Sequence, residues 1–191
     1  MDKILIVKIG GKLINNSHVL HRFLKSFAKI KTKKILIHGG GNQVTKMCKK
    51  LNLDVKIRNG RRITSIQDLE VATMIYAGSL NKTLVTKLQS FNCNSIGLSG
   101  ADANLIESVK RPVKEIDYGL VGDIKKINSI FLKKLIDQNL TPVICSITHD
   151  KKGQLLNTNA DTISSEIAIS LSKYYTVDLI YCHEKNGVLS N

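Results

Sequence analysis

The sequence has no tryptophan, only two prolines, and four cysteines in 191 residues. Cys48, Cys93, Cys145 and Cys182 are scattered, with no C-x-x-C pair, and three sit in or beside apolar segments. That spacing argues against a zinc site or a disulfide framework and predicts reduced core residues. No apolar run approaches the roughly 18 residues of a membrane span. The Met-Asp-Lys start lacks the apolar core and small-residue cleavage site of a secretory leader, so the expectation is a cytoplasmic protein. Arginine is scarce as well: five of 29 basic residues, although the net charge is +14. Nucleic-acid recognition favours arginine for bidentate contacts and aromatic rings for stacking. With lysines spread along the chain and only five Tyr and four Phe, the charge reads as compositional drift that can also attract anionic substrates. No nucleic-acid and no membrane partner is expected.

What is present fits one domain over residues 1–191. A hydrophobic content of 42% supports a full core, and there is no repeat or low-complexity linker. Two short β-branched runs, Ile4–Val7 and Ile35–Ile37, read as buried parallel strands. Each ends in a glycine cluster: Lys8-Ile9-Gly10-Gly11, and His38-Gly39-Gly40-Gly41-Asn42. Glycines at a strand end bring backbone N–H groups close to a ligand, and a following helix N-terminus adds free donors and a favourable dipole. An anion site at the strand edge follows.

Strand and helix alternate along the chain. Helices are expected over 18–30 with Ser17 as cap, over 43–53, over 68–91 with a break near Gly78, and over 130–138. Arg58-Asn59-Gly60-Arg61-Arg62 reads as a basic turn. Ser95–Leu98 and Pro142–Ile147 read as buried strands, and Val177–Cys182 as the last strand. Residues 105–128, with Pro112, Gly119 and Gly122, suggest hairpins laid over the sheet. After a turn at Asp150–Gly153, Leu155–Asp161 leads into a helix reaching about Lys173. The fold class is an α/β three-layer sandwich with a mostly parallel central sheet.

Several chemistries are absent. Gly78-Ser79-Leu80-Asn81-Lys82-Thr83 ends like a Walker A loop but has Asn81 where the second glycine belongs. No G-x-G-x-x-G follows the first strand, and no Ser-His-Asp or metal-ligand set appears. What remains is the glycine cradle, Lys8, the arginine turn and Asn157/Asn159/Asp161. That set suits phosphoryl transfer, where a protein mainly positions anions and neutralises charge.

Taken in order, Lys8-Ile9-Gly10-Gly11, His38–Gly41, Gly60-Arg61-Arg62-Ile63-Thr64, Ala77–Lys82 and Asn157-Thr158-Asn159-Ala160-Asp161 resemble the amino acid kinase family. Gly97–Asn104 and the segment from Lys110-Arg111-Pro112 through Gly122-Asp123 make the chain similar to the branch acting on acylated glutamate. The resemblance covers essentially the whole chain. It implies two substrates, ATP carrying Mg2+ and N-acetyl-L-glutamate, whose side-chain carboxylate becomes an acyl phosphate in arginine biosynthesis. It also implies a homo-oligomer and no metal site of the protein's own. Lys8 would bridge the transferring phosphoryl group; Gly10 and Gly11, with Lys8, would hold the ATP phosphates. Gly39, Gly40 and Gly41 would bind the substrate's side-chain carboxylate, and Arg62 and Asn157 its α-carboxylate. Asp161 would orient Lys8.

Plainer roles stand beside these. Lys8 alone would be a strand-end lysine, Arg61 and Arg62 an exposed turn, and Asp161 part of a helix cap. For Asn159 capping is the expected role, for Asp102 and Asn104 loop shaping, for Lys82 a solvated helix face, and for His38 structural hydrogen bonding. In combination and in family order the functional roles are favoured for Lys8, the glycines, Arg62, Asn157 and Asp161. Two departures from the family pattern are expected to matter. The family continues past Asn191, so the acyl-amino-acid half reads as complete and the nucleotide half as partial, which leaves a non-catalytic homologue open. His183-Glu184 stands where the family has Thr-Asp. The acyl group itself stays open between acetyl and a larger one such as succinyl.

Overall fold

A computed structural model describes residues 1–182; His183-Glu184 and the Gly187–Asn191 segment lie outside the described residues. The chain opens with β1 (Lys3–Ile9), a short α1 (Gly11–Asn15), α2 (Ser17–Lys29), β2 (Lys33–His38) and α3 (Gly41–Lys50). A hairpin of β3 (Ile57–Arg58) and β4 (Arg61–Arg62) precedes α4 (Ile66–Thr73), a π-helical segment Met74–Leu80 and α5 (Asn81–Ser90). Then come β5 (Ser95–Leu98), β6 (Ile106–Lys110), β7 (Gly122–Ile127), α6 (Ser129–Asp137), β8 (Thr141–Cys145) and β9 (Ile147–His149). β10 (Leu155–Asn157), α7 (Ala160–Leu171) and β11 (Thr176–Cys182) follow.

Five strands form the central sheet in the order β11-β1-β2-β8-β5, every pairing parallel. Parallel strands are joined by crossovers that place helices on both faces, so their sequences are apolar throughout. Along a strand side chains alternate between the faces. Ile4 and Ile6 of β1 and Ile35 and Ile37 of β2 therefore pack with Leu132, Ile136, Ile163 and Ile167 of α6 and α7. Val7, Ile9 and Leu36 turn to the other face, against Leu20, Leu24 and Phe27 of α2 and Leu84 and Leu88 of α5. The result is the expected three-layer sandwich. The four cysteines are free, three of them buried.

Local boundaries differ from expectation in ways that have causes. Asn16, not Ser17, caps α2: its carboxamide oxygen accepts from Val19 N at 3.0 Å, which makes Ser17 the first helical residue. α4 starts before Asp68 because Ser65 and Asp68 form a reciprocal capping box. The expected break near Gly78 is a whole π-helical segment running into α5. Asn59 and Gly60 both have positive φ (48° and 71°), which closes the basic turn as a tight hairpin between paired strands. Leu155–Asn157, read only as a lead-in to a helix, is a strand pairing antiparallel with β9.

The expected hairpin over 105–128 is the antiparallel β6–β7 pair of a second sheet, ordered β10-β9-β6-β7. This sheet carries the β3–β4 hairpin through one junction. Thr64 N donates to Tyr118 O at 2.9 Å, and Leu120 N donates to Thr64 O at 2.8 Å. Gly119 sits between them at φ 69°, and a Cβ there would lie 2.3 Å from Thr64 O. Asn157 N then donates to Leu120 O at 2.9 Å, so one strip of backbone ties Arg62, Thr64 and Asn157 together.

His38 ends β2 on the face opposite Ile37 and is fully buried. Asn81 Nδ2 lies 3.1 Å from its Nε2 and donates to Val143 O at 2.9 Å. With Nε2 accepting, the ring proton sits on Nδ1, 2.9 Å from Gly39 O. Burial pushes the His38 pKa down to about 4.

Two stability measurements follow. Unfolded His38 titrates near its ordinary 6.5 and folded His38 near 4, so the unfolded chain binds the extra proton between those values. Stability is expected to fall as pH drops through that window, by at most about 3 kcal/mol from this group. Urea unfolding at pH 7 and pH 5 reads the loss, and His38→Gln should make it smaller. Gly119→Ala should lower the urea midpoint by the equivalent of about 2 kcal/mol or more, since it adds a backbone collision to an unfavourable φ. Gly60→Ala, at φ 71° with nothing within 4 Å of the new Cβ, should cost about half as much. Equal losses would remove the junction's special role.

Candidate active site

Alternation along β1 puts Lys8 on the same face as Ile4 and Ile6, toward α7. There the Lys8 ammonium lies 2.8 Å from Asp161 Oδ1, with 11% of the lysine side chain and 48% of the aspartate side chain exposed. Asp161 stands in the first turn of α7. Asn159 Oδ1 caps that turn, accepting from Asp161 N at 2.7 Å and Thr162 N at 3.2 Å. The neighbouring strand contributes Tyr181, level with Lys8, whose hydroxyl donates to Asp161 O at 3.3 Å. A Cβ on Gly10 would lie 3.5 Å from Lys8 Nζ, so the ammonium rests against the first glycine cluster. Asn159 caps, as expected, while Asp161 does more: its carboxylate holds the lysine.

Gly39–Gly41 turns the chain from β2 into α3 beside this pair. Gly40 has φ 146°, and a Cβ there would meet Leu80 Cδ2 at 2.7 Å and Tyr76 Cε1 at 3.2 Å. Both side chains come from the π-helical segment, whose bulge seats them under the glycines. α3 has no side-chain cap and no acidic residue in its first turn. Its leading N–H groups therefore remain open to an anion. The two glycine clusters are neighbours, since a Cβ on Gly11 would lie 3.2 Å from Asn42 Nδ2. Gly39 in turn approaches α7, 3.7 Å from Ala160 Cβ by the same measure.

A cavity of about 310 Å3 opens from the glycine loop. Gly39, Gly40, Gly41, Arg62 and Asn157 all line it, together with Asn42, Tyr76 and Ser146. The Arg62 side chain is only 8% exposed, and its guanidinium is clamped. Nη2 donates to Thr45 Oγ1 at 2.5 Å and to Gly41 O at 3.3 Å, and Nη1 lies 3.5 Å from Asp68 Oδ1. Asn157 Nδ2 donates to Thr64 Oγ1 at 3.1 Å. Among the described residues no carboxylate lines this cavity, while Arg61, Arg62 and Arg111 do. Lys8, Gly10, Gly11 and Asp161 are not among its lining residues; they form an adjoining cluster that meets it at Gly39–Ala160 and Gly11–Asn42. The arrangement can hold two anions side by side, with an ammonium between them.

The remaining singled-out residues have supporting places. Asp102 Oδ2 accepts from Ser99 N at 2.6 Å and Ser99 Oγ at 2.8 Å, shaping its loop. Lys82 is exposed, its ammonium 3.3 Å from Gly97 O. Among the described residues no three His, Cys, Asp or Glu side chains gather as a metal site, and no helix is long and apolar enough to cross a membrane. Sequence reasoning missed Tyr76, Ser146 and Arg111 as cavity residues. Arg111 alone carried a signal, as one of only five arginines in a lysine-rich chain.

Comparison with known proteins agrees with this geometry. Residues 3–191 match the amino acid kinase family. The acetylglutamate kinase of Parabacteroides distasonis is 48% identical over 99% of this chain and 74% of its own length. That of Cytophaga hutchinsonii is 50% identical over 99% and 72%. Among solved structures, smu.665 of Streptococcus mutans superposes with a TM-score of 0.84 at 26% identity, over 98% of this chain and 75% of that one. N-acetylglutamate synthase of Neisseria gonorrhoeae, complexed with coenzyme A and N-acetyl-glutamate, shares the fold at a TM-score of 0.81 and 18% identity, over 97% and 42%. A homologue of acetylglutamate kinases by sequence, with the parallel sheet and glycine loops in place, the chain belongs to the amino acid kinase family.

Proposed function

We propose that this chain transfers the γ-phosphoryl group of Mg-ATP to the side-chain carboxylate of an N-acylated L-glutamate, with N-acetyl-L-glutamate as the reference substrate. The observation that carries this reading is the Lys8–Asp161 ion pair, set between two glycine clusters at the carboxyl ends of adjacent parallel strands. Names of relatives at about half identity point the same way.

The reaction needs no base. A glutamate side chain has a pKa near 4.3, so at neutral pH it is already an ionised nucleophile. One carboxylate oxygen attacks the γ-phosphorus, the bond to the bridging oxygen breaks, and its electron pair leaves on ADP. Mg2+ enters with ATP as part of that substrate. The obstacle is repulsion between a carboxylate and a polyanion, and positioning plus charge neutralisation reduce it. In this reading the Lys8 ammonium lies along the moving phosphoryl group. Gly10 and Gly11 offer backbone N–H groups to the ATP phosphates, while Gly39–Gly41 and the uncapped start of α3 do the same for the reacting carboxylate. Arg62 and Asn157 hold the α-carboxylate. Asp161 keeps the ammonium aimed and takes no proton.

The test is ADP release by the 191-residue chain with Mg-ATP and N-acetyl-L-glutamate. Lys8→Ala should lower kcat by about 100-fold or more, the usual loss when one transition-state donor is removed. Arg62→Ala should act chiefly through the KM of the acyl-glutamate, and Asp161→Asn chiefly through kcat. Turnover that survives Lys8→Ala would refute the assignment. Binding of N-acetyl-L-glutamate without any turnover would leave an acyl-glutamate-binding homologue in place of a kinase.

A further inference from the structure

Tyr76 carries a polar group that the fold does not use. The residue belongs to the apolar cluster under α3, with Val44, Cys48 and Cys145, and is only 5% exposed. Its ring edge backs Gly40. The hydroxyl makes no hydrogen bond among the described residues. A buried tyrosine normally finds a partner for its O–H, because an unpaired buried hydroxyl costs free energy. Phenylalanine would fill the same space without that cost, so packing alone does not account for the oxygen.

Tyr76 lines the same cavity as Gly41 and Arg62. A Cβ on Gly41 would lie 3.8 Å from the Tyr76 hydroxyl oxygen. Arg62 reaches the same glycine, Nη2 donating to Gly41 O at 3.3 Å. Arg62 also keeps an unused donor: Nη1 is buried without a hydrogen-bond partner, although Asp68 Oδ1 lies 3.5 Å away. Burial pushes the Tyr76 pKa up to about 12, against the opposing pull of the Arg62 charge. The phenol therefore keeps its proton at neutral pH and can only donate to an anion. Two unsatisfied donors, a phenol and a guanidinium N–H, thus stand beside Gly41. A ligand that satisfies both brings two acceptor oxygens and a negative charge, which describes a carboxylate.

We propose that Tyr76 is a substrate-binding residue, its hydroxyl donating a hydrogen bond to the α-carboxylate that Arg62 holds. The inference rests on the acyl-glutamate reading above. One carboxylate oxygen takes the guanidinium and the other takes the phenol. Gripped from both sides, the α-carbon is fixed while the side-chain carboxylate lies on the glycine loop. The π-helical segment then serves the substrate as well as the loop, since it carries the residue that touches both.

Tyr76→Phe removes one oxygen and keeps the ring against Gly40, and titration calorimetry reads the result without turnover. N-acetyl-L-glutamate should bind the variant about tenfold more weakly, the worth of one hydrogen bond to a charged group. 4-Acetamidobutyrate keeps the acetyl amide and the side-chain carboxylate but lacks the α-carboxylate. It should bind the two forms within about twofold of each other. Without ligand, the urea midpoint of Tyr76→Phe should equal or exceed that of the parent chain, because the unpaired hydroxyl is gone. A tyrosine with a purely structural role would lower that midpoint instead. Undiminished binding of N-acetyl-L-glutamate, an equal loss with 4-acetamidobutyrate, or a destabilised or unfolded variant would overturn the inference and leave the acyl-glutamate reading standing. If the parent chain binds no N-acetyl-L-glutamate, that reading falls, and this inference with it.

Discussion

Lys8 brings a positive charge to a strand end where only 11% of its side chain meets water, and a charge in that position needs a partner. Asp161 supplies it, and most of the site is arranged to keep Asp161 there. Asn159 caps the helix that carries it, and Tyr181 holds its backbone carbonyl. The parallel pairing of β1 with β2 and β11 sets the height of the ammonium against the glycine loop and against α7. Removing the carboxylate would leave the ammonium over Gly10 with no fixed direction, which is why an ion pair of modest strength governs the geometry around it.

The second constraint is the glycine loop's floor. A side chain at Gly40 would strike Leu80 and Tyr76, so the loop lies directly on the π-helical segment. π-Bulges cost helix hydrogen bonding and tend to persist where a function needs them. Here the bulge presents Tyr76 and Leu80 beneath the loop, and α5 then starts with Asn81, which reaches under the sheet to His38. His38, just before the loop, is buried and kept neutral at physiological pH. It supports Gly39 through its carbonyl and adds no charge of its own to an anion site.

Much of the architecture was legible because parallel-sheet strands are short, β-branched and apolar on both sides. β1, β2 and β8 announce themselves that way, while β11, at the sheet edge, carries Asp178 and has no buried residue, and the Asn59-Gly60 pair marks its hairpin. The misses share one cause, that the deciding partner is distant in sequence. β10 is too short for a period to show and exists because β9 and the Gly119 strip flank it. The π-helical segment has no local signature stronger than a glycine; the need to back Gly40 determines its shape. Asn16 outcompetes Ser17 as a cap by a single position, which propensities do not resolve.

The sequence by itself determined the kinds of chemistry on offer: glycine clusters closing two strands, a lysine in the first, a scarce arginine turn, and an Asn-x-Asn-Ala-Asp run opening a helix. It determined them because strand parity and helix capping are local rules, acting within a few residues. Only the tertiary structure decided which groups meet. It paired Lys8 with Asp161 across 153 residues of chain, separated their cluster from the cavity that holds Arg62 and Asn157, and brought Arg111 and Arg61 to line that one cavity. Those meetings depend on sheet order and on one glycine junction at Thr64 and Gly119. Sheet order is a property of the packed whole, and no stretch of sequence contains it.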